Sequence, residues 1–246
     1  MTKLFGNLSN DGLEESQDRL GGSRVLETAP YTGTIKAVYA GKSTSSNAQS
    51  ITVIMETDSN GEYRETFWVT NGKGENFYLD KNDKSKKVPL PGFTIIEDMC
   101  LVTTNKSLSE QSAEDKIMNV YDPDQKAEVP KSVPMLVELL GKKVTFGIAK
   151  ETKNKQKKDS NGIYQDTAES RDENVTDKVF HYPSNLTVVE ARKQIQTPAF
   201  FPAWVERNNG KTRDRRSIKD GEAQSGRPGM PPKAGESTAK APSLFG

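Results

Sequence analysis

The chain holds one cysteine, Cys100, and one histidine, His181, in 246 residues. A lone thiol excludes an internal disulfide, and these two residues cannot assemble the Cys/His cages that bind structural zinc. No apolar run approaches the roughly 20 residues a membrane-spanning helix needs. The start, MTKLFGNLSNDG, has neither the apolar core nor the cleavage site of a secretory signal. These absences predict a cytoplasmic protein with no membrane association, no metal and no cofactor. Apolar side chains are also scarce, at 33% of residues with a mean hydropathy of -0.76, so part of the chain is expected to stay outside any packed core. A net charge of +1 excludes attraction of a polyanion by overall charge. The charge is uneven, however: residues 207–246 carry nine basic against four acidic side chains, which leaves the remainder mildly acidic. Any nucleic-acid contact must therefore come from local clusters.

What is present is a period of two, the mark of half-buried strands. In YTGTIKAVYAGK the odd positions Tyr31, Ile35, Ala37 and Tyr39 suit a core, while Thr32, Thr34, Lys36 and Lys42 suit solvent. QSITVIMET places Ile51, Val53 and Met55 inward. The DSNG at 58–61 predicts a hairpin turn, because Asn and Gly tolerate positive φ. The next strand lies in YRETFWVTNGKGENFY, where Tyr63, Glu65, Phe67 and Val69 share one face and Arg64, Thr66, Trp68 and Thr70 the other. A helix follows in TIIEDMCLVTT, with Thr94 and Glu97 at capping-box spacing and Ile95, Ile96, Met99, Cys100 and Val102 as its apolar stripe. YDPDQK predicts a second hairpin, and PMLVELLG a short helix closed by Gly141. DSNG recurs at 159–162 as the tip of a long hairpin, after which TVVEARKQI forms a terminal helix. The expected division is an N-terminal extension at 1–28, a folded domain at 29–204 and a disordered basic tail at 205–246. Three strands, a helical insertion and two more strands is the order of the OB-fold, a five-stranded Greek-key barrel that binds oligonucleotides. The expectation is a mainly β protein of that kind with helical and hairpin insertions.

Trp68 is the leading candidate for chemistry. An indole among polar neighbours on an outward face suits the stacking of an unpaired base, worth roughly 1–3 kcal/mol; the competing reading packs it under the insertion helix. Lys73, between two glycines, can approach phosphate, while Phe77 is expected to plug the barrel and Tyr78 to stay open. Lys150, Lys153, Lys155, Lys157 and Lys158 form a basic arm on the long hairpin, suited to phosphates without reading sequence. Asp166, Glu169, Asp172 and Glu173 on the return strand could neutralise it. The loop with Lys81, Lys84, Lys86 and Lys87 is either a second basic rim or only a solvated loop. Arg64, Lys36 and Lys42 complete the candidate DNA-binding set. Asp122 with Asp124 and Glu97 with Asp98 are the candidate magnesium-binding pairs, but the first pair suits a turn and the second a helix start. No enzyme is expected.

Over most of residues 1–200 the chain resembles the replicative single-stranded DNA-binding proteins of tailed bacteriophages. The resemblance lies in MTKLFGNLS, YTGTIKAVYAGKS, YRETFWVTNGKGENF, KSKKVPLPGF and the terminal SLFG. It implies a protein that coats template strands without strong sequence preference during phage DNA replication and recombination, in the cytoplasm of the infected bacterial host. Many proteins of this class end in an acidic, aromatic-terminated tail that recruits replication enzymes. Here the tail is basic, and Leu244, Phe245 and Gly246 form the expected docking peptide for phage or host replication proteins. The alternatives are a protein-interaction hub working through that peptide and a metal-dependent nuclease.

Overall fold

The computed structural model describes residues 25–219 apart from 44, 123, 124 and 161. Strands β1 (Ala29–Lys42), β2 (Gln49–Thr57) and β3 (Gly61–Trp68) come first, followed by the short strands β4 (Phe77–Leu79) and β5 (Lys87–Pro89) and by helix α1 (Pro91–Thr104). Then come β6 (Ala113–Asp122), β7 (Ala127–Leu136), β8 (Lys143–Lys158) and β9 (Tyr164–His181). The described chain closes with helices α2 (Val188–Arg192) and α3 (Phe200–Asn208) and strand β10 (Thr212–Asp214). Eight strands form one sheet, antiparallel except where β10 runs parallel to β8. The molecule is thus mainly β. Both DSNG segments join antiparallel partners, β2 to β3 and β8 to β9.

The alternation in β2 and β3 persists: Ile51, Val53 and Met55 meet Tyr63, Phe67 and Val69 in the core with Phe146, Ile148 and Val179. In β1 it does not. The ladder shifts between Ile35 and Ala37, making Lys36 the extra residue of a bulge. One inserted residue reverses the parity of everything after it. Val38 therefore enters the core, while Ala37 and Tyr39 join Ile54, Val133 and Met135 in a second cluster on the opposite face, under the β6–β7 hairpin.

Helix α1 begins earlier than its capping pattern suggested. Leu90 is the N-cap and Pro91 opens the first turn, where a missing N–H and a preset φ cost nothing. Thr94 already lies inside the helix with its hydroxyl on the Leu90 carbonyl, and Glu97 instead accepts from Leu108 N at 2.8 Å. Ile95, Ile96, Met99 and Cys100 are buried beneath it. The expected helix in PMLVELLG is reduced to one 3-10 turn at Val137–Leu139, because Pro134–Leu136 complete β7.

The tail boundary at 205 is corrected. Trp204 of α3 is buried against Gly147, where an added Cβ would come within 2.9 Å of the indole. Its Nε1 donates to Asp177 at 2.6 Å, and Phe180 meets its ring nearly edge-on. Arg213 pairs with Asp177 at 2.6 Å, Arg215 reaches Glu151 at 3.3 Å, and Asn154 accepts from the backbone of Ser217 and Ile218. Residues 205–219 thus form a strap fastened to β8 and β9. The remaining tail, including Leu244, Phe245 and Gly246, lies outside the described residues.

Strand β3 ends the sheet path and has no backbone ladder to β9 among the described residues. Side chains join the two instead: Glu65 Oε2 accepts from Thr176 N at 2.9 Å and from Tyr63 Oη at 2.6 Å.

Candidate nucleic-acid interface

The outer face of β1, β2 and β3 is built in cross-strand rows. Ser50 lies opposite Trp68, Thr52 opposite Thr66, and Ile54 opposite Arg64. The Ile54 row is covered by Val133 and Met135 of the hairpin, but the Trp68 row is open and its side chain is 48% exposed. The strand end is held from behind by α1. A Cβ on Gly92 would stand 2.5 Å from the Trp68 carbonyl oxygen, so only glycine lets the helix come this close.

Lysines gather at this end. Lys42 is opposite Gln49, whose carbonyl accepts from Val69 N at 3.0 Å, so the end of β1 lies near the Trp68 row. The loop after β3 is organised by Asn71, whose Oδ1 accepts from Lys73 N at 2.9 Å and Glu75 N at 3.0 Å. Lys73 is exposed on this turn, five residues beyond Trp68. Lys36, at the bulge, is exposed farther along β1.

Arg64 shares the face with Trp68, about 13 Å away at ordinary strand rise, but it is not a free cation. It donates to Tyr39 Oη at 2.7 Å and lies 3.5 Å from Glu128 of β7. Tyr78 is exposed on the β4–β5 hairpin. Phe77 does not plug the core: it belongs to the same small hairpin and lies under Lys87, whose Nζ is 4.3 Å from the ring centre. Three residues and a turn before α1 leave that segment on the outside, while α1 itself fills the core.

The lysine arm divides into two groups. Lys150 lies 3.0 Å from Glu27 and 3.6 Å from Asp172, and Lys155 lies 3.0 Å from Glu169. Lys153 is 2.5 Å from Glu173 and 3.2 Å from Glu151. Bonding to Glu27 holds Lys150 above the usual lysine range. At Lys153 burial acts downward, yet Glu173 and Glu151 outweigh it and the net shift is upward. Lys157 and Lys158 have no carboxylate at ion-pair distance among the described residues; Lys158 stands 5.2 Å over the Tyr164 ring. The ladder is also interrupted between Asn154 and Gln156, within the expected stripe of Lys153, Lys155 and Lys157.

A cleft of about 360 Å³ opens beside Trp68, between β3, the start of α1 and Val175–Thr176 of β9. Val175 and Thr176 pair with Ala149 and Ile148 of β8, just before the lysine arm begins. Glu65 also lines the cleft, a residue the strand pattern had assigned to the core. The signal was a carboxylate at an inward position in Tyr63, Glu65, Phe67, Val69. Asn71, Tyr39 and Glu128 carried no comparable signal, because each acts through a partner set by folding.

The alternative magnesium pairs are dispersed. Asp98 pairs with Lys178 at 3.1 Å, Glu97 faces Leu108, and Asp122 bonds Lys131 at 2.8 Å; Asp124 lies outside the described residues. Among the described residues no group of three or more His, Cys, Asp or Glu is placed to hold a metal, and no helix is long and apolar enough to cross a membrane. Comparison with protein families, characterised proteins and solved structures gave no significant match.

Proposed function

We propose that this protein is a non-catalytic OB-fold binder of single-stranded DNA, without strong sequence preference. In this reading it coats and protects template strands during phage replication and recombination in the infected bacterial cytoplasm. The chain order supports the fold assignment. β1, β2 and β3, then α1, then β8 and β9 follow the three-strand, helix, two-strand sequence, with the β6–β7 hairpin inserted and Glu65 bridging the β3–β9 seam. The observation that carries the function is Trp68: an exposed indole at a strand end backed by a helix, with the exposed Lys42 and Lys73 at the same end of the sheet, where a base can stack while ammonium groups nearby meet phosphates. Lys36, Arg64, Tyr78 and the arm extend the path. Phage or host replication proteins would be recruited through Leu244, Phe245 and Gly246.

The chain has two tryptophans, and Trp204 is buried, so quenching of intrinsic fluorescence by an oligonucleotide reports mainly on Trp68. Labelled single strands should quench it and shift in a gel, with duplex of the same sequence binding more weakly and the strand remaining intact after magnesium is added. No shift at low salt would remove this reading. A strand degraded in magnesium would replace it with the nuclease.

A further inference from the structure

Ile117 of β6 is 80% exposed, and Tyr121 on the same face is 54% exposed. The opposite face of this strand is occupied, since Met118 and Val120 pack against the cluster of Tyr39, Ile54, Val133 and Met135. β6 is also an edge. It pairs with β7 on one side, and no other strand pairs with it among the described residues.

Two prolines decide which backbone groups that edge offers. Pro130 lies opposite Asn119, and Pro134 lies opposite Asp115. An antiparallel ladder alternates between pairs that exchange hydrogen bonds and pairs that do not, and proline, lacking an N–H, fits the second kind. Ala113, Asp115, Ile117, Asn119 and Tyr121 share that parity, so they turn N–H and C=O away from β7 and towards the open side.

We propose that β6 pairs with the β6 of a second copy of this chain, antiparallel and centred on Ile117, so that two molecules share one ladder. A two-fold axis through a residue sets outward-turned groups against outward-turned groups; an axis between residues would not. Centred on Ile117, the isoleucine meets its own counterpart, Ala113 meets Tyr121 and Asp115 meets Asn119. Lys116 then faces Met118 and Glu114 faces Val120, so no two like charges stand opposite each other. Moving the axis loses this. Centred on Met118, Glu114 would face Asp122 and the two isoleucines would part; centred on Lys116, two lysines would meet. Lys116 is meanwhile held by Glu114 of its own strand at 2.7 Å. The same strand serves on both sides, so pairing closes the edge and assembly stops at two. The inference is independent of the single-strand reading.

The test is sedimentation velocity of the full chain, freed of nucleic acid, over a series of concentrations. Native protein should pass from monomer to dimer as concentration rises. Ile117→Lys sets two ammonium groups against each other and should stay monomeric, and a side chain this exposed can be exchanged with little effect on folding, which circular dichroism verifies. Asn119→Pro removes an N–H turned to the open side and should abolish the dimer as well. An equimolar mixture of Ile117→Lys and Ile117→Glu should restore it, because opposite charges then meet at the axis. A native protein that stays monomeric throughout, or a dimer that survives either the lysine or the proline substitution, overturns the proposal. A mixture that stays monomeric overturns the register centred on Ile117.

Discussion

The salt dependence of DNA binding separates the two groups within the lysine arm. Each phosphate neutralised by a free ammonium group on a single strand contributes about 0.7 to the slope of log K against log salt, through release of condensed cations. An ammonium already paired to a carboxylate contributes less, since moving it to phosphate exposes a carboxylate that recruits a cation of its own. Lys150, Lys153 and Lys155 are paired at 3.0, 2.5 and 3.0 Å. Lys157 and Lys158 have no such partner among the described residues. Replacing Lys157 and Lys158 by alanine should therefore flatten the slope by about 1.4, two contacts at about 0.7 each. Replacing the other three should flatten it by clearly less than the roughly 2.1 expected of three free lysines. The assay is an anisotropy titration of a labelled oligonucleotide across a series of sodium chloride concentrations, with circular dichroism confirming that both variants fold. If the triple variant loses about 2 while the double variant keeps the native slope, the ion pairs are not what governs the arm.

Trp68→Ala should weaken single-strand binding by roughly 1–3 kcal/mol with little change in melting temperature; native affinity would return the indole to a packing role. Cys100 is buried on the inner side of α1, and burial, with Glu97 adding to it, pushes its thiol up to about 12. It should resist a thiol reagent in the native protein and react on unfolding, so rapid native labelling would contradict the placement of α1. Burial acts to raise the Asp177 carboxyl, but Arg213 and the Trp204 indole outweigh it and hold it below the usual aspartate range. Its stabilisation is therefore present above the ordinary aspartate pKa of about 3.9 and lost as pH falls through the lower folded value. Asp177→Asn should flatten the acid side of the melting profile, and parallel acid profiles for the two proteins would show that the strap does not depend on this carboxylate.

Much of the framework was legible along the chain because it is local. Alternation in β2 and β3 follows from a side-chain period of two, and the two DSNG turns follow from residues that accept positive φ. The outward placement of Trp68 follows from counting along β3, which contains no bulge. The Lys36 bulge was not legible, since inserting one residue into β1 is settled by which face the β6–β7 hairpin covers. The helix start was decided by Pro91 and by the approach of Gly92 to Trp68 rather than by Thr94. The strap at 205–219 is polar and reads as a tail. It is held because Trp204 finds Gly147 and Asp177 on distant strands, and one large buried side chain with charged bonds outweighs the composition around it. The lysines illustrate the same limit: sequence determined that basic residues lie on a hairpin arm, but the cross-strand register of β8 and β9 decided which have carboxylate partners. Hydrophobic period and turn chemistry act over a few residues, whereas pairing energies depend on distances of a few ångströms that only the folded chain defines.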